Sequence, residues 1–278
     1  MFFKDIVGQK ERITELLGEA KSGKVAHGQL FVGNEGYGTF PLALAFSRYL
    51  LCENPSDQDA CGTCSSCLQV NELQHPDLHF VFPVVQSITK TSDNLYSKWR
   101  EFVMNSPYFS LFDWIKFMDD KERQPLIGTE ESKEIVRKIS LKSFQGGYKV
   151  MIIFAADEMN LQASNKILKI LEEPPAQTVF ILLSSNPQAI LPTIRSRTQT
   201  MQVTRLLPFE ISKFLQKERK MEVGVADGLA SFADGDLCAA LELLNEGETT
   251  ALYRELFIKM MRSSYKKDVI QMMDWADE

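Results

Sequence analysis

Gly33-Asn34-Glu35-Gly36-Tyr37-Gly38-Thr39-Phe40 is the stretch that decides the fold. The apolar run before it, Gln29-Leu30-Phe31-Val32, reads as a buried strand. The run after it, Pro41-Leu42-Ala43-Leu44-Ala45-Phe46, reads as a helix with proline in its first turn. Strand, glycine-rich turn and helix is the setting of the nucleotide phosphate loop, G-x-x-x-x-G-K-[ST]. Gly33 and Gly38 stand at its first and last glycines, with Gly36 between them. Thr39 replaces the lysine and Phe40 the hydroxyl residue. The lysine is a point charge on the terminal phosphates, and its loss removes a charge-assisted bond of roughly 1.5–3 kcal/mol. Phenylalanine has no oxygen for magnesium. Thr39 cannot replace it, because one residue along a helix turns a side chain by about 100°. The octapeptide alone fits two readings: a degenerate phosphate loop, or a glycine turn that never was one.

Composition narrows the setting. The chain has 278 residues, 44% hydrophobic and 24% charged, which is ordinary for a globular protein of two domains and part of a third. No run reaches the roughly 18 apolar residues of a membrane span, so no membrane partner is expected. Met1-Phe2-Phe3-Lys4-Asp5 has no signal-peptide pattern. A net charge of −6 argues against whole-chain electrostatic binding of nucleic acid.

Cys52, Cys61, Cys64 and Cys67 form C-x8-C-x2-C-x2-C. Four thiolates at short spacing satisfy tetrahedral zinc and leave no open position for catalysis, so the expected metal is structural Zn2+ in a reducing cytoplasm. Gly62, Ser65 and Ser66 suit the turns between ligands. His75 or His79 in place of Cys52 is an alternative fourth ligand. His27 reads as a packed or hydrogen-bonded residue, and Cys238 as a small buried one.

Residues 84–127 change character. Tyr96, Trp99, Phe102 and Val103 fall at helical spacing, and Phe109, Phe112, Trp114 and Phe117 add aromatic surface. With Lys98, Arg100 and Lys116 these rings could stack bases. The structural alternative is the core face of two inserted helices, and Asp113, Asp119, Asp120 and Glu122 favour it. Further on, Tyr148-Lys149-Val150-Met151-Ile152-Ile153-Phe154 is a central parallel strand. Asp157-Glu158 resembles the magnesium and water-activating acids of an ATPase, but lies past Ala155-Ala156, beyond the strand. The pair is expected near the start of the next helix, favourable to its dipole. Residues 165–175 read as a helix closed by Pro174-Pro175, and 178–183 as another buried strand. Leu191-Pro192-Thr193-Ile194-Arg195-Ser196-Arg197-Thr198 puts two arginines around a serine on a short helix. They could serve a neighbour's nucleotide as an arginine finger, or form a solvated basic corner. Three helices follow from residue 209 to about 245, then a stripe of Tyr253, Leu256, Phe257, Met260 and Met261.

Taken together, Phe3-x-Asp5-Ile6-Val7-Gly8-Gln9, Ala26-His27, the altered loop, the four cysteines, His75-Pro76-Asp77, residues 165–175 and Ser196-Arg197 resemble the bacterial DNA polymerase III clamp loader, an AAA+ family. The likeness runs over residues 3–244, apart from 84–127. It implies an α/β, P-loop-type parallel-sheet core at 1–205 with the zinc module at 52–67 and an atypical insertion at 84–127. A small helical lid at 206–246 follows, then the start of an incomplete helical collar at 247–278. The family's strand acids fall on Phe154 and Ala155, and its lid arginine on Cys238, so no ATP is expected. Its Ser-Arg-Cys motif stands as Ser196-Arg197-Thr198. The resemblance further implies a subunit of the polymerase holoenzyme without ATPase or polymerase activity of its own. Such a subunit would offer Arg197 to the ATP of an adjacent gamma/tau subunit and assemble with delta. It would reach the sliding clamp and primer–template DNA through the complex. The alternatives are an active AAA+ ATPase using Asp157-Glu158, and a zinc-dependent nucleic-acid-binding module.

Overall fold

The computed structural model describes residues 1–144 and 146–245. Within it, Met1–Cys238 forms one unit and a second begins at Ala239. The expected collar, 247–278, and the stripe within it lie outside the described residues.

A helix over Lys10–Ser22 (α1) precedes the first strand, β1 (Gly28–Val32), and α2 (Thr39–Leu51) follows the glycine turn. The cysteine segment ends in α3 (Ser65–Asn71) and leads to β2 (Leu78–Val81). The insertion folds as α4 (Tyr96–Asn105) and α5 (Leu111–Met118). After it come α6 (Thr129–Ser140), β3 (Lys149–Ile153), α7 (Leu161–Glu172) and β4 (Thr178–Ser184). The chain continues through α8 (Pro192–Arg195), β5 (Gln199–Gln202), α9 (Pro208–Arg219), α10 (Val223–Phe232) and α11 (Leu237–Asn245).

All five strands are parallel, in the order β2-β3-β4-β1-β5. Gly28 lies opposite Phe180, and Gln29 opposite Gln199, so β1 is enclosed between β4 and β5. Every residue of β1, β3 and β4 is buried, as continuous apolar runs covered on both faces require. Alternation sorts them. Phe31, Val150, Ile152, Val179, Ile181 and Leu183 face the core shared with α2 and the insertion. Leu30, Val32, Met151, Ile153, Phe180 and Leu182 face the core that Ile135, Ile167 and Ile194 of α6, α7 and α8 complete.

Lys149 shows how the sheet holds its helices. It is buried at the start of β3, and its ammonium donates to the Ile139 carbonyl at 2.9 Å and to that of Leu141. These carbonyls belong to the end of α6, where a cation suits the helix dipole. In the first turn of the same helix, buried Glu131 accepts from Ser92 Oγ at 2.7 Å and also bonds the Ser92 amide, tying α6 to the entry of the insertion.

Most of the insertion's rings belong to the core. Trp99 and Trp114 are fully buried, Trp99 stacks on Phe82 at 4.2 Å, and Trp114 Nε1 donates to the Pro83 carbonyl. A Ser110–Asp113 capping box starts α5. Phe112 is the exception, 49% exposed on α5, so most of the aromatic surface that could have stacked bases is spent inside the fold.

Candidate functional site: a filled loop, a thiol cluster and an exposed arginine

The loop keeps the geometry its glycines predict. Gly33 extends β1, its amide donating to the Ser184 carbonyl at 3.1 Å; a Cβ there would lie 2.5 Å from the Val203 carbonyl oxygen. Gly38 has φ +93° and opens α2. Three side chains occupy the surroundings. Phe40, 1% exposed, points into the sheet core and meets Phe109 at 4.9 Å, Trp99 at 5.8 Å and Phe154 at 6.1 Å. Tyr108 lies over Gly38: a Cβ there would be 3.3 Å from its Cε1, and its hydroxyl accepts from the Val7 amide at 2.9 Å. Asp236 reaches Gly36 so closely that a Cβ on that glycine would sit 1.7 Å from Oδ1. The Cys238 amide nitrogen is also near, 2.9 Å from the same point, and Cys238 is half-buried rather than fully buried as expected.

The electrostatics run against a polyphosphate. Burial pushes the Glu35 carboxyl above its usual range, and the charges of Asp157 and Asp236 push it further. Asp157 is likewise raised by burial, although the Asn186 amide donates to its Oδ2 at 3.3 Å. β3 ends at Ile153, and Ala155, at φ +49°, bends the chain into a short turn, Ala156–Glu158. The two acids lie in that turn and not in the first turn of α7, whose N-cap is Asn160, accepting from the Ala163 amide at 2.8 Å. Glu158 is raised by burial first and by Asp157 second.

The four cysteines converge. Their sulfurs all lie within 4.8 Å of one another, with Cys52–Cys64 and Cys61–Cys67 each 4.0 Å apart. A tetrahedral ion with Zn–S bonds of about 2.3 Å needs sulfurs roughly 3.8 Å apart, so the set fits one such ion. Cys52 ends α2, Cys64 caps α3 and Cys67 sits in its first turn. Backbone amides of Cys61, Cys64 and Cys67 donate to the sulfurs of Cys52, Cys61 and Cys64, as they would to thiolates. The backbone amides of Thr63 and Cys64 hold the Cys61 thiol down at about 6, while burial pushes Cys52 up to about 12. The fully buried Arg48 joins this knuckle to the chain's start. Its guanidinium lies 3.7 Å from the Phe2 ring and donates to the Cys67 carbonyl, and Phe2 in turn packs on Gly62.

The histidine alternatives fall away. His79 is on β2, opposite Met151, and burial with Lys138 and Lys149 pushes it down to about 4. His75 Nδ1 accepts from the Asp77 amide, and neither histidine belongs to the sulfur cluster. His27 Nε2 is 3.1 Å from the Leu171 carbonyl, a hydrogen-bonded residue as expected.

The arginine corner points the other way. Ser196 Oγ and Arg197 Nη1 both donate to the Thr193 carbonyl, at 3.0 and 3.1 Å, and buried Thr198 bonds back to Ile194. The Arg197 backbone carbonyl lies against Gly28, fixing the corner to the start of β1. The side chain itself is 38% exposed and pairs with Glu172 Oε1 at 2.7 Å. Arg195 reaches Gln188 at 3.4 Å. Tyr108, Asp236 and Glu172 are the residues that sequence reasoning missed. Only Gly36 hinted at one of them, since glycine in a turn can mark a close approach.

The chain is similar to known proteins. The family model described as DNA polymerase III, delta subunit, matches residues 8–206. A DNA polymerase III subunit delta' of Pseudomonas aeruginosa is 30% identical over 172 residues, covering 62% of this chain and 41% of that protein. The subunit delta' of Escherichia coli is 27% identical over 66% of this chain and 44% of its own length. The subunit tau of Bacillus subtilis is 27% identical over 99% of this chain and 46% of its length. The chain thus spans under half the length of these relatives. Among solved structures, the Thermotoga maritima RuvB Holliday junction branch migration motor superposes with TM-score 0.51 at 13% identity, over 95% of this chain and 66% of that one. That likeness concerns the AAA+ fold alone. With the family match running from residue 8, ahead of α1, to residue 206, just past β5, the chain belongs to the DNA polymerase III delta-subunit family.

Proposed function

We propose that this chain is a non-catalytic, delta prime-like subunit of the DNA polymerase III clamp loader in the cytoplasm, acting as a stator. It binds no ATP of its own and gives Arg197 in trans to the ATP site of a neighbouring gamma/tau subunit. Delta completes the assembly, and the sliding clamp and primer–template DNA are met through the complex. The four cysteines carry one structural Zn2+, and the chain divides into a core at 1–205, a lid at 206–246 and the beginning of a collar. What carries the reading is one contrast: Phe40, Tyr108 and Asp236 fill the loop's surroundings, while Arg197 extends into solvent. The names of the relatives, delta' and tau, supply the partner class.

The deciding experiment is ATP hydrolysis by a reconstituted complex containing wild-type or Arg197→Ala chain. The substitution is expected to abolish stimulation of the neighbour; unchanged stimulation refutes the finger. Metal analysis is expected to give one zinc per chain, lost in Cys64→Ser. The position of Asp157 near the loop, its charge acting on Glu35, favours a second reading, an active ATPase. Micromolar binding of a labelled ATP analogue to the isolated chain would select it.

A further inference from the structure

Arg197 is already engaged within its own chain. One end of the guanidinium bonds the Thr193 carbonyl and the other pairs with Glu172. Glu172 is the last residue of α7, which packs directly against α8, and Arg197 lies in the turn two residues past the end of α8. Both side chains are about two-fifths exposed, at 38% and 41%. We infer that Glu172 is an internal competitor for the finger, a carboxylate that holds Arg197 until a neighbour's phosphate displaces it. This rests on the finger reading above and adds its regulation.

The exchange is a swap of anions, with no covalent step. An exposed pair of this kind shifts an equilibrium by roughly fivefold at most. A terminal phosphate offers more charge and a bidentate match to the planar guanidinium, so it wins the exchange. The swap leaves Glu172 unpaired beside the incoming negative charge. Engagement is therefore weakened, while the geometry of the engaged arginine, and so the rate at saturation, is untouched.

The test titrates full-length chain into a reconstituted complex whose ATPase subunits are saturated with ATP. Glu172→Gln is expected to lower the chain concentration giving half-maximal stimulation by roughly two- to fivefold with the maximum unchanged, a gain that shrinks as salt rises. In an Arg197→Ala background Glu172→Gln is expected to change nothing. If Arg197→Ala abolishes stimulation but Glu172→Gln titrates like wild type, the competitor role is wrong and the finger stands. A lowered maximum also overturns it, because Glu172 would then be orienting the arginine. If Arg197→Ala stimulates normally, both readings fall.

Discussion

The glycine loop at residues 33–40 and the corner at 195–198 sit at opposite ends of strands in one sheet, and they have been treated in opposite ways. At the loop, side chains from residues 40, 108 and 236 converge and leave a closed apolar and acidic surface. At the corner, the backbone is fastened to β1, and the Arg197 guanidinium, held by the Thr193 carbonyl and the Glu172 carboxylate, stays 38% exposed. A side chain whose partners are all internal is held by packing. One that reaches solvent is free to serve another molecule. The two regions therefore answer differently to substitution.

The largest effect is expected at the loop. Phe40→Ala removes the ring shared by the sheet and the insertion, and about 3–5 kcal/mol of stability with it, measurable by urea denaturation. Converting the loop toward a working one, with Thr39→Lys and Phe40→Thr together, is expected to destabilise the chain without producing micromolar ATP binding, since Tyr108 and Asp236 remain. Gly36→Ala comes next. Its methyl group would stand 1.7 Å from Asp236 Oδ1, so residues 235–238 must move, at about 1–3 kcal/mol. Adding Asp236→Ala is expected to restore most of that, and failure to do so would show that Asp236 is not the obstacle.

A smaller effect follows from proton linkage. The Glu35 carboxyl is raised in the folded chain, chiefly by burial. Between its ordinary value and the raised one, the folded state holds the proton and the unfolded state has lost it. Stability therefore falls as pH rises through that window, and Glu35→Gln is expected to remove that part of the slope. His79 has the opposite sign. Held down to about 4, it makes the fold weaker as pH drops from about 6.5 toward that value, by a few kcal/mol at most. The smallest effect closes the comparison. Arg197→Ala is expected to leave thermal stability within about 0.5 kcal/mol of wild type, against its large effect on a neighbour's hydrolysis. A large loss of stability would mean the corner is built like the loop.

Sequence made the sheet and the thiol knuckle legible for local reasons. The runs at 30–32, 150–154 and 179–183 are apolar without a break, as strands covered on both faces need. Three of the cysteines lie within seven residues of one another, close enough for spacing alone to suggest a metal. The filling of the loop had no such signal. Tyr108 lies 101 residues from Val7, and Asp236 lies two hundred residues from Gly36; periodicity says nothing about pairs so far apart. Asp236 read only as part of a break between helices. The rings of the insertion were visible as an amphipathic pattern, but whether they faced a core or a ligand depended on Phe40, Phe82 and Phe154 standing opposite them. Counting along the strand placed Asp157 beyond its end, where β3 has indeed stopped; what counting did not show is the left-handed turn at Ala155.

Tyr108 touches three segments at once: the Gly38 turn, the Val7 amide and, through ring contact at 5.8 Å, Phe214 on α9. It works like a dowel driven through a joint. A phenol built into the chain pins the turn, the chain's start and α9 to one another, and nothing needs to be consumed or released to keep that posture.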